Sequence, residues 1–432
     1  MGNRNLPKVL IVDVNAWRED AAAHTLLDIF RCWDSDKLGL IYTSSELPYN
    51  SVCHKYFQIS ESQIIRSVIK PWMKVGREVD NTPKSDDDAL EERERSKKIH
   101  KRQPKWIRLA REAIWKLGRW KTPVLRRFVE DFNPDIVFVP IFPYAYMGRI
   151  QKYVNKIANK PIVCYLADDN YSYDSCRNVY DYLQRFWTRQ YVGYLASKSN
   201  QMFVIVDKEK EDTDSRFGTD SVILTKSIDF TGMSYQHREP NKPLKFVYTG
   251  SMVIGRDKTL ALLADAINAV NEQIGEVRAE MYSYSQTDPK EEVLTRINQG
   301  AAHFCGRIRR EEVLKVQQEA DVVIFAESLE GKEANAAKLS FSTKITDYIS
   351  NGKCVLAIGK DYIAPIDYFQ RNDSALIAHS KEEIETRVKE IVDNPMITDV
   401  YGEKAFNCAV RNHEKNMMNE RFIETMLKAW KK

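Results

Sequence analysis

Short apolar runs alternate with amphipathic helical stretches along almost the whole chain, and this alternation constrains the fold more than any other feature. Candidate strands fall at 9–12, 38–42, 136–140, 162–166, 202–206 and 221–225. A second series falls at 246–248, 280–284, 303–305, 322–325, 355–358 and 375–377. Strands separated by helical periods are joined by crossovers and pair in parallel sheets. Two series of six predict an α/β chain with two Rossmann-like domains. The polar, proline-bearing stretch 236–245 (QHREPNKPLK) predicts the join, with one domain over 1–238 and the other over 243–400. Residues 401–432 read as a helical segment with an apolar stripe through Phe406, Val410, Phe422, Met426 and Trp430. Segment 74–105 contains SDDDALEERERSKK, lacks apolar periodicity and reads as a charged insertion.

Composition narrows the classes. With 432 residues, the chain is long enough for two full cores. Its 65 Lys and Arg nearly balance 61 Asp and Glu, so no global nucleic-acid signal exists and nucleic acid is not expected as a partner. Seven cysteines are scattered without C-x-x-C pairs; Cys164, Cys305 and Cys354 sit in or beside predicted strands and read as buried thiols of a reducing compartment. The histidines show no metal-ligand spacing, and no metal is expected. The opening MGNRNLPKVLIVDV has too short an apolar run for a signal peptide, and no stretch is long enough to span a membrane. A cytoplasmic protein is expected, peripheral at the inner face of a membrane.

The densest chemistry lies in 319–359. A strand is followed by a polar loop, and Ser340-Phe341-Ser342-Thr343-Lys344 then opens a helix carrying Asp347 and Tyr348. That helix stops at Asn351-Gly352, and another strand follows. A Ser or Thr cap with a first-turn lysine presents free N–H groups and a positive dipole end, which suits a phosphate or pyrophosphate. A lysine there opposes the helix dipole, so its presence points to an anion. An acid one turn on reaches ribose hydroxyls in other nucleotide-binding βαβ units. An ordinary capped αβ unit is the competing reading.

Further markers follow in order: Phe246-Val-Tyr-Thr-Gly250-Ser251 with Arg256 and Lys258; His303-Phe304-Cys305-Gly306-Arg307; Ala320-Asp321-Val322-Val323; Lys344, Asp347, Tyr348 and Gly352-Lys353. The first half adds Asn133-Pro134-Asp135, Lys160-Pro161 leading to Asp168-Asp169, and Lys226-Ser227-Ile228-Asp229. Taken together the chain resembles the retaining family-4 (group 1) glycosyltransferases. The resemblance implies the GT-B fold: two Rossmann-like domains facing across a cleft, with the C-terminal helix crossing back to the N-terminal domain. It implies transfer of a sugar from a nucleotide-diphosphate sugar, a co-substrate rather than a cofactor, to a glycan or lipid-linked glycan in cell-surface polysaccharide biosynthesis. Gly250, Ser251, Ser342, Thr343, Lys344 and Asp347 would bind the donor. Arg256 and Lys258 would stabilise the departing diphosphate. Asp168 or Asp169, at the end of a strand, would orient or deprotonate the acceptor hydroxyl; an Asx turn is the plain alternative.

Three positions depart from the family's pattern. Its paired acids stand eight residues apart, and the position eight before Asp347 is Leu339; Glu327, Glu330 or Glu333 would replace the missing acid only if the loop folds back. Ser251 stands where the family has arginine. Asp13-Val14-Asn15-Ala16-Trp17 replaces a glycine-rich loop. These departures keep two other readings open, a nucleotide-sugar 2-epimerase of the same fold and a non-catalytic sugar-nucleotide-binding protein.

Residues 96–127 hold twelve lysines and arginines against one acid, Glu112, with Trp106, Trp115 and Trp120 interleaved. Lys105, Arg108, Arg111, Lys116 and Arg119 would face an anionic membrane or acceptor if this is an interfacial amphipathic helix. The same pattern fits a core helix whose tryptophans pack on a sheet and whose basic side faces water.

Overall fold

In a computed structural model the chain is described over residues 5–20, 25–70, 72–80 and 105–431. Most of the charged insertion, 81–104, lies outside the described residues, as does the Lys105 side chain. The chain divides into two α/β units. One comprises Met1–Ile205, Lys210–Leu224 and Asn419–Lys432; the other comprises Val206–Glu209 and Thr225–Met418.

The first unit is built on an eight-stranded sheet, ordered β4-β3-β2-β1-β5-β6-β7-β8. Its strands are β1 (Val9–Val12), β2 (Leu38–Tyr42), β3 (Lys55–Gln58), β4 (Arg77–Val79), β5 (Ile136–Pro140), β6 (Ile162–Tyr165), β7 (Ser199–Val204) and β8 (Val222–Ile223). Every pairing is parallel except β3 with β4. β1, β2 and β5 are buried throughout, as expected of strands covered by helices on both faces. Strand order reverses between β1 and β5, so the chain leaves their carboxyl ends in opposite directions and opens a crevice there.

Two of these strands were missed by the apolar pattern. β3 reads Lys-Tyr-Phe-Gln, and β4 is a mostly exposed edge strand of three residues, so neither carries a run of hydrophobic residues. The stretch 401–432 is also two helices rather than one, Ile397–His413 and Lys415–Trp430. Glu414 between them is extended (φ −63°, ψ 132°) and bridges Ile228. Residues 419–432 belong to the first unit. Phe422 there is buried against Phe30, Trp33, Phe138 and Phe203, with ring centroids 5.0, 5.4, 6.3 and 5.6 Å away.

The second unit carries a six-stranded parallel sheet, ordered β11-β10-β9-β12-β13-β14. Its strands are β9 (Leu244–Thr249), β10 (Ala279–Tyr284), β11 (Ala302–Gly306), β12 (Val322–Ala326), β13 (Cys354–Ile358) and β14 (Leu376–Ala378). Here the order reverses between β9 and β12. Residues 225–243 precede β9 and are tied to this unit: Tyr235 Oη donates to the Asp399 carbonyl at 2.8 Å, and the Asn241 amide donates to Asp321 at 3.0 Å. Division of the chain therefore falls at Leu224/Thr225, ahead of the proline-bearing stretch. Cys164 and Cys354 are buried, whereas Cys305 is exposed because β11 is an edge strand. Among the described residues no helix is long and apolar enough to cross a membrane.

Candidate active site

The carboxyl ends of β9 and β12 meet where the second sheet reverses its strand order, and the candidate donor residues gather there. β9 ends at Thr249, whose hydroxyl accepts from Gln317 Nε2 at 2.7 Å and lies 3.4 Å from Tyr348 Oη. These partners are buried and fix the strand end. The helix Thr343–Ser350 begins beside it. Ser342 caps that helix, its hydroxyl accepting from the Lys344 amide at 3.4 Å. The Lys344 ammonium donates to the Thr249 carbonyl at 2.8 Å and forms no ion pair among the described residues. Burial, reinforced by the nearby Arg256 charge, lowers its pKa to about 8. Gly250 leaves room for this contact: a Cβ there would lie 2.6 Å from Lys344 Nζ and 2.7 Å from Tyr248 Oη, and one of them would have to shift.

The loop from Gly250 to the next helix is pinned and strained. Tyr248 Oη donates to the Ser251 carbonyl at 2.8 Å, and the Met252 amide donates to Thr287 Oγ1 at 2.9 Å. Ile254 and Gly255 follow with φ of 59° and 76°. A β-branched residue in the left-handed region is costly, and such strain gathers at functional loops. The helix Arg256–Ile274 then starts with Arg256, which forms a bidentate pair with Glu327: Nε donates to Oε2 at 2.9 Å and Nη2 to Oε1 at 2.7 Å. Glu327 directly follows β12 and is nearly fully buried. The next basic residue, Lys258, pairs with Glu330 at 2.7 Å on the surface. The loop after β12 thus folds back over the cations, and Glu327 and Glu330 stand beside them. Leu339, at the position of the family's first acid, is buried.

Arg256 and Lys258, read from the sequence as cations for a diphosphate, each already hold a carboxylate; Lys344 does not. The pairing does not exhaust Arg256. A guanidinium carries five N–H donors, and its Nη1 group makes no hydrogen bond among the described residues, so Glu327 orients it with one edge open. Asp347 lies one turn into the capped helix and is ion-paired with Lys226. Lys353, beside Gly352 in the same motif, is structural: its buried ammonium donates to the Gln318 and Ala320 carbonyls at 2.6 and 2.7 Å, at the amino end of β13.

The two candidate acceptor acids lie in the first unit. Asp168 is exposed at the end of β6. Asp169 is committed to its turn, accepting from the Tyr171 and Ser172 amides at 3.1 and 2.8 Å and facing Arg185 at 3.6 Å. Burial pushes its carboxyl up, but the Ser172 and Tyr171 bonds and the Arg185 charge together hold it below the usual range. Sequence reasoning passed over Asp13. It ends β1 where the first sheet reverses order, and it is buried. It accepts from the Val14 amide at 2.6 Å and Trp17 Nε1 at 3.1 Å, yet burial raises its pKa to about 6. With Asn15, Trp17, Ile141, Phe142 and Tyr165 it lines a cavity of about 390 Å³. The signal was a lone acid directly after the first apolar strand.

The basic segment resolves into two kinds of residue. Trp115 is fully buried and stacks on Tyr146 at 4.5 Å, and Trp120 is buried against Tyr153. These two tryptophans are core, which the helical period alone did not separate from an interfacial face. Arg111, read as lipid-facing, instead pairs with Glu61 at 2.7 Å and lies 5.0 Å from the Tyr146 ring centre. Trp106, Arg108, Lys116 and Arg119 are exposed. Among the described residues no three His, Cys, Asp or Glu side chains group into a metal-holding set.

No protein-family model matches the sequence, and no curated protein matches it. Solved structures do match. Anabaena Alr3699/HepE, crystallised in complex with UDP, superposes with a TM-score of 0.61 at 11% identity over 97% of this chain and 99% of that one. A glycosyltransferase from Rickettsia africae gives 0.58 at 10% identity, covering 99% of both chains. Sucrose-phosphate synthase from Thermosynechococcus elongatus gives 0.57 at 11%, covering 95% of this chain and 96% of that chain. At such identities the likeness concerns the fold. The chain is an α/β protein of two Rossmann-like domains, the architecture of the GT-B glycosyltransferases.

Proposed function

We propose that this protein is a glycosyltransferase that moves a sugar from a nucleotide-diphosphate donor to a glycan or lipid-linked glycan, with retention at the anomeric carbon, in cell-surface polysaccharide synthesis. One observation carries the reading: the Lys344 ammonium, bound only to a backbone carbonyl, sits at a capped helix start where the sheet order reverses. A half-buried cation in no ion pair is costly, and a diphosphate supplies a direct partner. As the glycosidic bond breaks, negative charge grows on the leaving diphosphate. In this reading Lys344, the helix amides near Ser342 and Thr343, and the open edge of Arg256 receive it. Asp347, released from Lys226, holds the ribose, and Asp168 orients the acceptor hydroxyl. Anabaena Alr3699/HepE, of like fold, has been crystallised with UDP and with UDP-glucose, and a uridine nucleotide is the first donor to try.

The test is calorimetric titration with UDP. Lys344→Ala and Asp347→Ala should each weaken binding by about 1.5–3 kcal/mol, the usual worth of a charge-assisted bond, without lowering the melting temperature. Unaltered affinity in both variants would refute the site. Leu339 in place of the family's acid favours a second reading, a nucleotide-sugar-binding protein without turnover. Incubation with a panel of UDP-sugars separates the two: nucleotide release supports transfer or hydrolysis, and tight binding without release supports the second reading.

A further inference from the structure

We infer that the helical layer covering one face of the first unit's sheet docks on an anionic lipid surface. The layer contains the helices Glu61–Ile69, Lys105–Leu117 and Val179–Lys198. The middle one packs on both others. At their junction the Arg119 amide donates to Ser67 Oγ at 3.3 Å, and Glu61 pairs with Arg111.

The outer side of this layer is apolar and aromatic where it should be polar. Trp106 is 58% exposed, Leu117 69%, Ile69 72% and Trp72 78%. The first two turns of Val179–Lys198 add exposed Leu183 and Phe186. Scattered single hydrophobic residues need no explanation, but Ile69 and Leu117 each lie two residues from the Ser67–Arg119 contact, so the ends of two helices expose apolar side chains at one place. The first two helices and their ends also carry exposed cations: Arg66, Lys70, Arg108 and Lys116. No carboxylate competes with them on the first two helices. Glu61 is held by Arg111, and Glu112 is buried against Arg149 at 2.9 Å. The same face of the sheet holds a cavity of about 550 Å³ whose ionisable lining is Lys121, Arg126, Arg149, Lys152 and Lys156 beside two tyrosines, with no acid.

Charge decides the occupant. A second copy of this chain, docked about a two-fold axis through this face, would press one cationic patch against an identical one. An acidic bilayer answers both features, because its surface attracts Lys and Arg while its interface takes Trp, Tyr and short aliphatic groups. The sequence pattern pointed to Trp106, Trp115 and Trp120 with Arg108 and Lys116; Trp115 and Trp120 are core. The surface adds Arg66, Ile69, Lys70, Trp72, Leu183 and Phe186 from parts of the chain far from that segment. This inference does not depend on the donor-site reading, and its test measures binding alone.

The experiment is co-sedimentation of the full chain with vesicles of phosphatidylcholine alone and of phosphatidylcholine with phosphatidylglycerol, at low and high salt. Binding to the phosphatidylglycerol vesicles, weakened by salt, is expected. Each cation near such a surface is worth about fivefold in partitioning, so Lys70→Gln, Arg108→Gln and Lys116→Gln together should cost on the order of a hundredfold. Trp72→Ser, Trp106→Ser and Leu117→Ser together should also abolish binding; all three side chains are exposed, so the circular dichroism spectrum and melting temperature should hold. Absence of wild-type binding at low salt would overturn the proposal. Variants that bind as wild type does would overturn it too. So would a wild-type dimer in sedimentation velocity that the serine variant converts to monomer while vesicles are ignored.

Discussion

Arg256 and Glu327 are joined by two parallel hydrogen bonds across the ends of β9 and β12, with the carboxylate almost entirely out of water. The pair bridges residues 71 apart in sequence and closes the loop after β12 over the candidate donor site. It fixes the guanidinium in one orientation while Nη1 makes no hydrogen bond among the described residues. Lys258 and Glu330 repeat the pairing in the open.

Removing one member of a buried pair strands the other. Glu327→Ala should therefore cost about 3–5 kcal/mol of stability, read as a shift in the urea midpoint. Glu330→Ala, at the exposed pair, should leave the midpoint nearly unchanged. Equal shifts in the two variants would mean that the Arg256 pair is not desolvated.

Lys344 predicts a pH dependence with a definite sign. Its folded pKa is lowered from 10.5 to about 8, so between those values the unfolded chain holds a proton that the folded chain has lost. Stability contributed by this group is thus fully present above pH 10.5 and falls as pH drops towards 8. A bound diphosphate favours the charged lysine, so UDP affinity should decline as pH rises above about 8. The decline should approach tenfold per pH unit. Lys353 titrates in the same window, so the comparison is wild type against Lys344→Met. Calorimetry in buffers of differing ionisation enthalpy should show proton uptake on binding at pH 9, roughly one pH unit above that pKa, and the variant should show none. A flat affinity profile in the wild type would place the diphosphate elsewhere.

Phe422 predicts that the C-terminal helix is part of the first unit's core. Phe422→Ala should cost about 3–5 kcal/mol, as for other buried phenylalanines. Deleting 415–432 should expose Phe30, Phe138 and Phe203, and hydrogen exchange should accelerate in β1, β5 and β7. A truncated chain that melts and exchanges like the full one would show that the aromatic cluster does not depend on the helix.

Local pattern in the sequence determined the α/β class, the two sheets and the strand–cap–helix unit around Lys344. Each of these depends on neighbours a few residues apart: apolar runs of strand length, helical periods between them, and a capping serine two residues before a lysine. Short strands without an apolar run, such as Lys55–Gln58 and Arg77–Val79, left no such trace. Tertiary structure alone decided which groups meet. Arg256 faces Glu327 because β9 and β12 are adjacent in the sheet, and that register is invisible in the chain between them. Trp115 and Trp106 share one amphipathic helix, yet one is buried and the other exposed, because burial depends on what packs against each turn. Periodicity shows that a face is apolar; only the fold decides whether a protein core or another surface covers it.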